Sequence, residues 1–349
     1  MGLTYIKSRF LHPVKMKWYD LQIEIIGAWK FFLKRQRSGE RKLTKIHYQS
    51  TDKICGNKRS TVIYMANGYT WHGGLADRLK GIVSLYAWCS DHSKPFKINF
   101  CHPFRLHNYL IPNEYDWQIA DEDISYNPCE VAVKQCLIAP VLAVPTVQPR
   151  LPELLGEWLD EHLVQTNAQL HVYTNMRYGN SRFAELFGKL FKPAPRLQNL
   201  IDYHKEQIGG KYISISFRFT TLLGDFTDCT GAALPVAERQ PLIEKCLHAI
   251  SQIAKTAPSH DRILVTADSS TFLAQAAALS HVYVIPGKVG HIDYDNDNDD
   301  DVNMKTFLDF LLIADAEAVY LCKSGKMYKS AFAQTAAMVH NKPFEVKEC

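Results

Sequence analysis

Residues 61–89 read TVIYMANGYTWHGGLADRLKGIVSLYAWC. The opening, Thr61–Met65, is a β-rich apolar run that ends at Asn67-Gly68, a turn signal. Gly74–Cys89 then carries the spacing of a helix. A strand, a glycine turn and a helix in this order form the repeating unit of a parallel sheet covered on its faces. The turn also carries chemistry. Gly68, Gly73 and Gly74 lie just before a helix start, which gathers free backbone N–H groups and a positive dipole end at one spot suited to an anion. Asp77 and Arg78 fall in the first helical turn, where Arg78 is placed to reach that anion and Asp77 to cap the helix or pair with Arg78. A P-loop is excluded, because Gly73 is followed by Gly74-Leu75 and not by Lys-Ser/Thr, and the dinucleotide pattern Gly-x-Gly-x-x-Gly is missing. Tight helix–sheet packing is the competing explanation for these glycines.

Strand and helix patterns alternate on either side. Strands are expected at Phe96–Cys101 and Gln169–Thr174, a helix at Ser181–Phe191, and a connection at Lys192–Asn199 with its two prolines. A second series follows: strand Tyr212–Phe219, helix Pro241–Lys255, strand Arg262–Thr266 and helix Ser270–Leu279. Strand Val282–Ile285, helix Val302–Ile313, strand Ala318–Cys322 and helix Met327–Val339 complete it. The pattern predicts an α/β protein of two Rossmann-like lobes, residues 60–200 and 201–349, with a cleft between them. Ligands in such sheets bind beyond the carboxyl ends of the strands.

Three further constellations stand at such ends. In YISISFRFTTLLGDF (212–226) a strand delivers Arg218 at its carboxyl end between Phe217 and Phe219. A guanidinium there can make paired hydrogen bonds to phosphate and offset charge on a leaving diphosphate; an ion pair with Asp225 or Asp228 is the structural alternative. LVTADSS (264–270) offers Asp268 as an acceptor for a base or ribose hydroxyl and Ser269 as a hydroxyl donor, and Ser324-Gly325 offers a similar loop. Serine N-caps have the same appearance. Asp225, Asp228 and His291 are candidate bases by position. The acidic run Asp293–Asp301 begins like a calcium loop, but Asn298 replaces the required Gly and Met304 the Glu, so it reads as a solvated loop. Cysteine and histidine spacing gives no zinc pattern.

Composition sets the background. The 349 residues are 46% hydrophobic and 22% charged, as in a packed globular protein. No apolar run reaches membrane-spanning length, and no secretory signal is visible. Nine cysteines scattered from Cys55 to Cys349 suit reduced thiols, and no Asn-x-Ser/Thr acceptor occurs; a cytoplasmic location is expected. Residues 1–60 hold fourteen Lys/Arg against Asp20, Glu24, Glu40 and Asp52, a charge of +10, and the remainder sums to −6. Within residues 1–59, Trp18, Leu21, Ile25, Trp29 and Phe32 mark one face of a helix. A basic helix with that face can lie on an anionic membrane through residues 13–45, or it can pack on the protein's own body. No base-reading motif accompanies the charge, so no nucleic-acid role is expected.

Three segments together resemble the fucosyltransferase superfamily of GT-B architecture, the α1,6-, α1,2- and protein O-fucosyltransferases that use GDP-fucose. GGLADRLKGIVSLYA is similar to the family's N-lobe glycine loop. SISFRF resembles the strand ending in His-x-Arg, whose arginine binds the donor diphosphate and is needed for activity, which implies that role for Arg218. VTADSS resembles the Ala-Thr-Asp-Asp element, making Asp268 and Ser269 donor-site candidates. FLDFLLIADAEAVYLCKSGKMYKSAFAQTA is similar to the closing motif of the α1,6 group, matching Asp309, Ala314-Asp315 and Ser324-Gly325. The sequence departs from the family at Ser216, Phe219 and Ala76-Asp77. The resemblance implies an acceptor-side N-terminal lobe and a donor-side C-terminal lobe. It also implies inverting, metal-independent transfer from a nucleotide sugar, with no cofactor, to a carbohydrate acceptor. A lipid-linked acceptor at the cytoplasmic face of an inner membrane, in surface-polysaccharide or glycan synthesis, would suit the basic segment. Pyruvyl transfer to polysaccharide from phosphoenolpyruvate, and a non-catalytic carbohydrate- or membrane-binding protein, are the alternatives.

Overall fold

The computed structural model describes residues 28–50, 61–137, 151–163, 169–177, 182–226, 232–256, 262–290 and 299–349. The chain divides into two compact units that are discontinuous in sequence. Unit 1 is Met1–His72, Lys80–Asn99 and Trp117–Asn180; unit 2 is Gly73–Leu79, Phe100–Asp116 and Ser181–Cys349.

Unit 1 contains α1 (Ala28–His47), β1 (Val62–Ala66), most of α2 (Leu75–Asp91), β2 (Phe96–Phe100), β3 (Val131–Cys136), α3 (Leu151–Leu163) and β4 (Gln169–Thr174). Its sheet has the order β2-β1-β4-β3, and β4 pairs in parallel with both β1 and β3. β1 and β4 are buried along their whole length, as strands covered on both faces must be. α2 lies close on this sheet: a Cβ added at Gly81 would meet the Thr174 carbonyl oxygen at 2.2 Å. Trp88 of α2 donates its indole N–H to Asp160 of α3 at 2.7 Å.

The basic helix docks on the body of unit 1. Phe32, Gln36 and Leu43 of α1 are buried, and Lys34, Arg37, Arg41, Lys42 and Lys45 are exposed. Gln36 serves the sheet edge, donating to the Leu137 carbonyl and accepting from its N–H at 3.0 and 3.1 Å. Glu40 accepts from the Gln135 N–H at 2.9 Å. Side chains of α1 thus satisfy backbone groups that an edge strand would leave open. Trp18, Leu21 and Ile25 lie outside the described residues, as does the Trp29 side chain. Beyond α1, Tyr48 joins a buried network, its hydroxyl 2.8 Å from His171 Nδ1 and 3.1 Å from the Tyr173 hydroxyl. Burial lowers His171 to a pKa of about 3, so its ring is neutral.

Unit 2 follows with α4 (Phe183–Leu190), α5 (Pro195–Ile208), β5 (Tyr212–Phe217), α6 (Val236–Thr256), β6 (Arg262–Ala267) and α7 (Ser270–Ala276). β7 (Val282–Tyr283), α8 (Asp300–Asp315), β8 (Val319–Lys323), α9 (Phe332–Val339) and β9 (Phe344–Glu348) complete it. The order is β9-β8-β5-β6-β7, and every pair is parallel. The core beside it includes Ile213, Ile215, Phe217, Phe219, Val265 and Phe272. A two-stranded ribbon, Leu110–Pro112 with Phe191–Pro193, also belongs here.

Lys192–Asn199 is therefore not a bare connection. Pro195 opens α5, where its fixed φ and missing N–H suit a first turn, and Gly209 closes it at φ +77°. The expected boundary near residue 200 falls inside this helix. The helix expected from Met327 begins instead at Phe332, leaving residues 324–331 as a loop. α8 is held by the acids of its motif: Asp309 pairs with Lys305 at 2.6 Å, and Asp315 pairs with Lys205 and His340. Burial pushes the Asp309 carboxyl up against the pull of Lys305.

Candidate functional site

The central strand of unit 2 delivers Arg218 by simple alternation. Phe217 and Phe219 turn to the same side, their rings stacked 6.2 Å apart within the core beside Phe272, so Arg218 between them faces away. Ser216 bonds sideways within the sheet, its hydroxyl 2.8 Å from that of Thr266 on β6. Ser216 thus packs within the sheet and Phe219 within the core beside it, and Arg218 projects. Its side chain is 20% exposed and its guanidinium lies 4.9 Å from the Phe226 ring centre.

Arg218 pairs with Asp268 at 3.2 Å. Asp268 stands just past β6, the neighbour of β5, and its side chain is 4% exposed. Both of its oxygens are engaged: Oδ1 accepts from Phe219 N–H and Oδ2 from Thr220 N–H, each at 2.7 Å. The second bond holds Thr220 at φ +55°, a conformation rare for a β-branched residue. Burial pushes the Asp268 carboxyl up, opposed by Arg218 and the two amides. Asp268 therefore ties Arg218 to the turn after β5.

Ser269 and Asp225 share the start of α7. Ser269 is fully buried and caps α7, its hydroxyl accepting from Phe272 N–H at 3.1 Å and donating to Asp225 Oδ2 at 2.9 Å. Asp225 Oδ2 also accepts from Thr271 N–H at 2.9 Å and Ser270 Oγ at 3.3 Å. Partial burial raises this carboxyl, but the donors outweigh it and hold it below the usual range. A carboxylate committed to a helix start in this way is a poor base. Asp228 and His291 lie outside the described residues, as does Asp293–Asn298. Asp299 caps α8, and Asp300 binds Arg196 and accepts from the Tyr109 hydroxyl at 2.6 Å.

On the other flank, β8 ends at Ser324-Gly325, with Gly325 at φ +53° and open space where a Cβ would stand. The loop is tied to Arg218, because Tyr328 N–H donates to the Arg218 carbonyl at 3.1 Å. Tyr328 is half-exposed. The carboxyl ends of three adjacent parallel strands, β8, β5 and β6, therefore bring together the serine loop, Arg218 and Asp268. Phe226, Met327 and Tyr328 were not singled out in the sequence, since nothing in their spacing separates them from core or loop residues.

The glycine turn forms its own group. Gly68 and Gly73 adopt φ +85° and +82°, values that require glycine. Asp77 approaches Gly73 so closely that a Cβ there would meet its Oδ2 at 2.6 Å, while Gly74 faces open space. Arg78 is 2% exposed, with Nε donating to the Gly73 carbonyl at 3.0 Å and an Nη to the His102 carbonyl at 2.8 Å, over the Phe100 ring. These bonds tie Arg78 to the loop from within. Among the described residues no cluster of three or more His, Cys, Asp or Glu has a metal-holding arrangement, and no helix is long and apolar enough to cross a membrane.

No protein-family model and no curated protein matches the sequence. Solved structures match in shape. NodZ α-1,6-fucosyltransferase soaked with GDP-fucose aligns with a TM-score of 0.52 at 15% identity, over 81% of this chain and 93% of that one. The same enzyme co-crystallised with GDP, and its selenomethionine form from Bradyrhizobium, each align with a TM-score of 0.50 at 14% identity, over 80% and 92% of the two chains. The chain has a fucosyltransferase-like GT-B fold.

Proposed function

We propose that this protein is an inverting glycosyltransferase that moves fucose, or a related sugar, from a GDP-sugar to a carbohydrate hydroxyl. The observation that carries the reading is Arg218, held by Asp268 at the carboxyl end of the central strand β5, beside the serine loop. As the bond from the sugar's anomeric carbon to the diphosphate breaks, negative charge grows on the leaving group. A guanidinium fixed beforehand by a buried carboxylate stabilises that charge without reorganising. Ser324, Gly325 and the loop amides add donors on the β8 side, and the open face of Gly74 offers a further approach to anionic oxygen. Metal independence, a cytoplasmic location and a lipid-linked acceptor belong to the same proposal. The exposed lysines and arginines of α1 would hold the protein at an anionic membrane face.

Calorimetric titration with GDP, and with UDP and CDP as controls, tests it in buffer containing EDTA. Selective micromolar binding of GDP, abolished in Arg218→Ala, is expected. With a donor and acceptor in hand, the same substitution should lower turnover by about 10²–10³, or about 2.7–4 kcal/mol. Absence of binding to any diphosphate would overturn the reading and favour pyruvyl transfer or a non-catalytic role.

A further inference from the structure

The serine loop between β8 and α9, residues 324–331, is pinned along its length. Met327 N–H donates to the Ser324 carbonyl at 3.0 Å, and Ser324 N–H donates to Met327 Sδ at 3.3 Å. Tyr328 N–H donates to the Arg218 carbonyl at 3.1 Å, and the Tyr328 carbonyl accepts from Ser330 N–H at 3.1 Å. The Ser330 hydroxyl in turn accepts from Phe332 N–H at 3.1 Å, where α9 begins. Met327 is the anchor, 4% exposed and packed in the core beside the sheet.

Tyr328 follows this anchor and turns outward, 54% exposed. Ile46, Trp71, Tyr203 and Val236 are the other large apolar side chains exposed among the described residues; Tyr328 is the one whose backbone is bonded to Arg218. Around it the loop is cationic. Lys323–Ser330 reads KSGKMYKS, three lysines and no acid. Lys323 pairs with Glu348 at 3.2 Å, while Lys326 and Lys329, on either side of Met327 and Tyr328, are exposed. Arg218 is itself fixed, by Asp268 at 3.2 Å and by the Phe226 ring at 4.9 Å. A fixed guanidinium, exposed lysines and a flat aromatic ring on one rigid loop suit a ligand that joins a diphosphate to an aromatic heterocycle.

We propose that Tyr328 is the side chain against which the nucleobase of the donor stacks, while Arg218 holds the diphosphate. The inference rests on the nucleotide-sugar reading given above. Every base presents a π-face, so stacking is tolerant of base identity. Tyr328 therefore supplies affinity for a nucleoside and not the choice among bases. Tyrosine offers a large, rigid contact area at low entropy cost. The backbone bonds of the loop hold its main chain in place beforehand, so little ordering is left for the ligand to impose.

The full chain and two variants are titrated calorimetrically with GDP and with inorganic pyrophosphate, in buffer containing EDTA. Tyr328→Ala should weaken GDP by about 5–150-fold, the range for losing one stacked base, and leave pyrophosphate affinity unchanged. Tyr328→Phe keeps the ring and should keep GDP affinity. In protein carrying 13C-labelled tyrosine, the ring signal that is lost in Tyr328→Phe should move upfield with GDP and not with pyrophosphate. Equal GDP affinity in the parent and Tyr328→Ala, or equal loss of both ligands in that variant, would overturn the proposal and leave the donor reading standing. A Tyr328 ring signal unmoved by bound GDP would do the same. A parent chain that binds pyrophosphate but no nucleoside diphosphate would overturn both.

Discussion

At the residue scale, the centre of the candidate site is a buried carboxylate, Asp268. Asp268 spends both oxygens on the turn after β5 and on Arg218, so its removal should act twice. Asp268→Ala leaves two amides and a guanidinium without their acceptor and should cost on the order of 3 kcal/mol of stability, read from urea unfolding. It should also weaken GDP binding, because Arg218 loses its fixed pose; an unchanged affinity would show that Arg218 is held by other contacts. Asp225 gives a pH prediction of definite sign. Its folded pKa lies below the ordinary 3.8, so it contributes stability above that value and the contribution fades as pH falls through the folded pKa. Asp225→Asn should therefore be less stable than the parent at pH 7, by about 1 kcal/mol as for a lost cap, with the gap closing below pH 4. Parallel melting curves across that range would show it. Arg218 was legible in the sequence because two phenylalanines at spacing two must share a side and turn the residue between them away. Asp268's partner was not: Phe219, Thr220 and Arg218 lie about fifty positions earlier, and only the register of β5 with β6 brings them together.

At the element scale, strands buried on both faces were readable from sequence because apolar and β-branched residues dominate β1 (VIYMA), β5 (YISISF) and β6 (RILVTA). β3 and β9 were missed for the converse reason. VAVKQC and FEVKE are edge strands with half-exposed, partly charged residues, and such patterns look like loops. The role of α1 depended on Gln36 and Glu40, polar residues whose use appears only once the edge of β3 is placed against them. α2 supplies a test of its close seat on the sheet. Gly→Ala in a helix ordinarily gains about 1 kcal/mol. Gly81→Ala should instead lose roughly 1–3 kcal/mol, because the new methyl meets a backbone carbonyl that cannot move aside. A rise in the urea midpoint would show that α2 can lift away.

At the scale of the whole molecule, the two compact units share the chain in a way that the two consecutive strand–helix series do not display. Unit 2 draws on Phe100–Asp116, and the rings of Phe104 and Tyr109 pack on Phe307 of α8, Tyr109 stacked at 4.6 Å. A fragment of residues 181–349 lacks these rings and the Tyr109 hydroxyl that Asp300 accepts. Expressed alone, it should show a broad, weakly cooperative thermal transition where the full chain melts sharply; a sharp transition would mean that α8 finds other cover. The chain passes between units at 72/73, 79/80, 99/100, 116/117 and 180/181. Splicing two relatives at a single point therefore exchanges no complete unit. A hybrid joined at residue 181 would set one parent's Phe104 and Tyr109 against the other's Phe307, so inheritance of a complete second unit requires three patches to travel together.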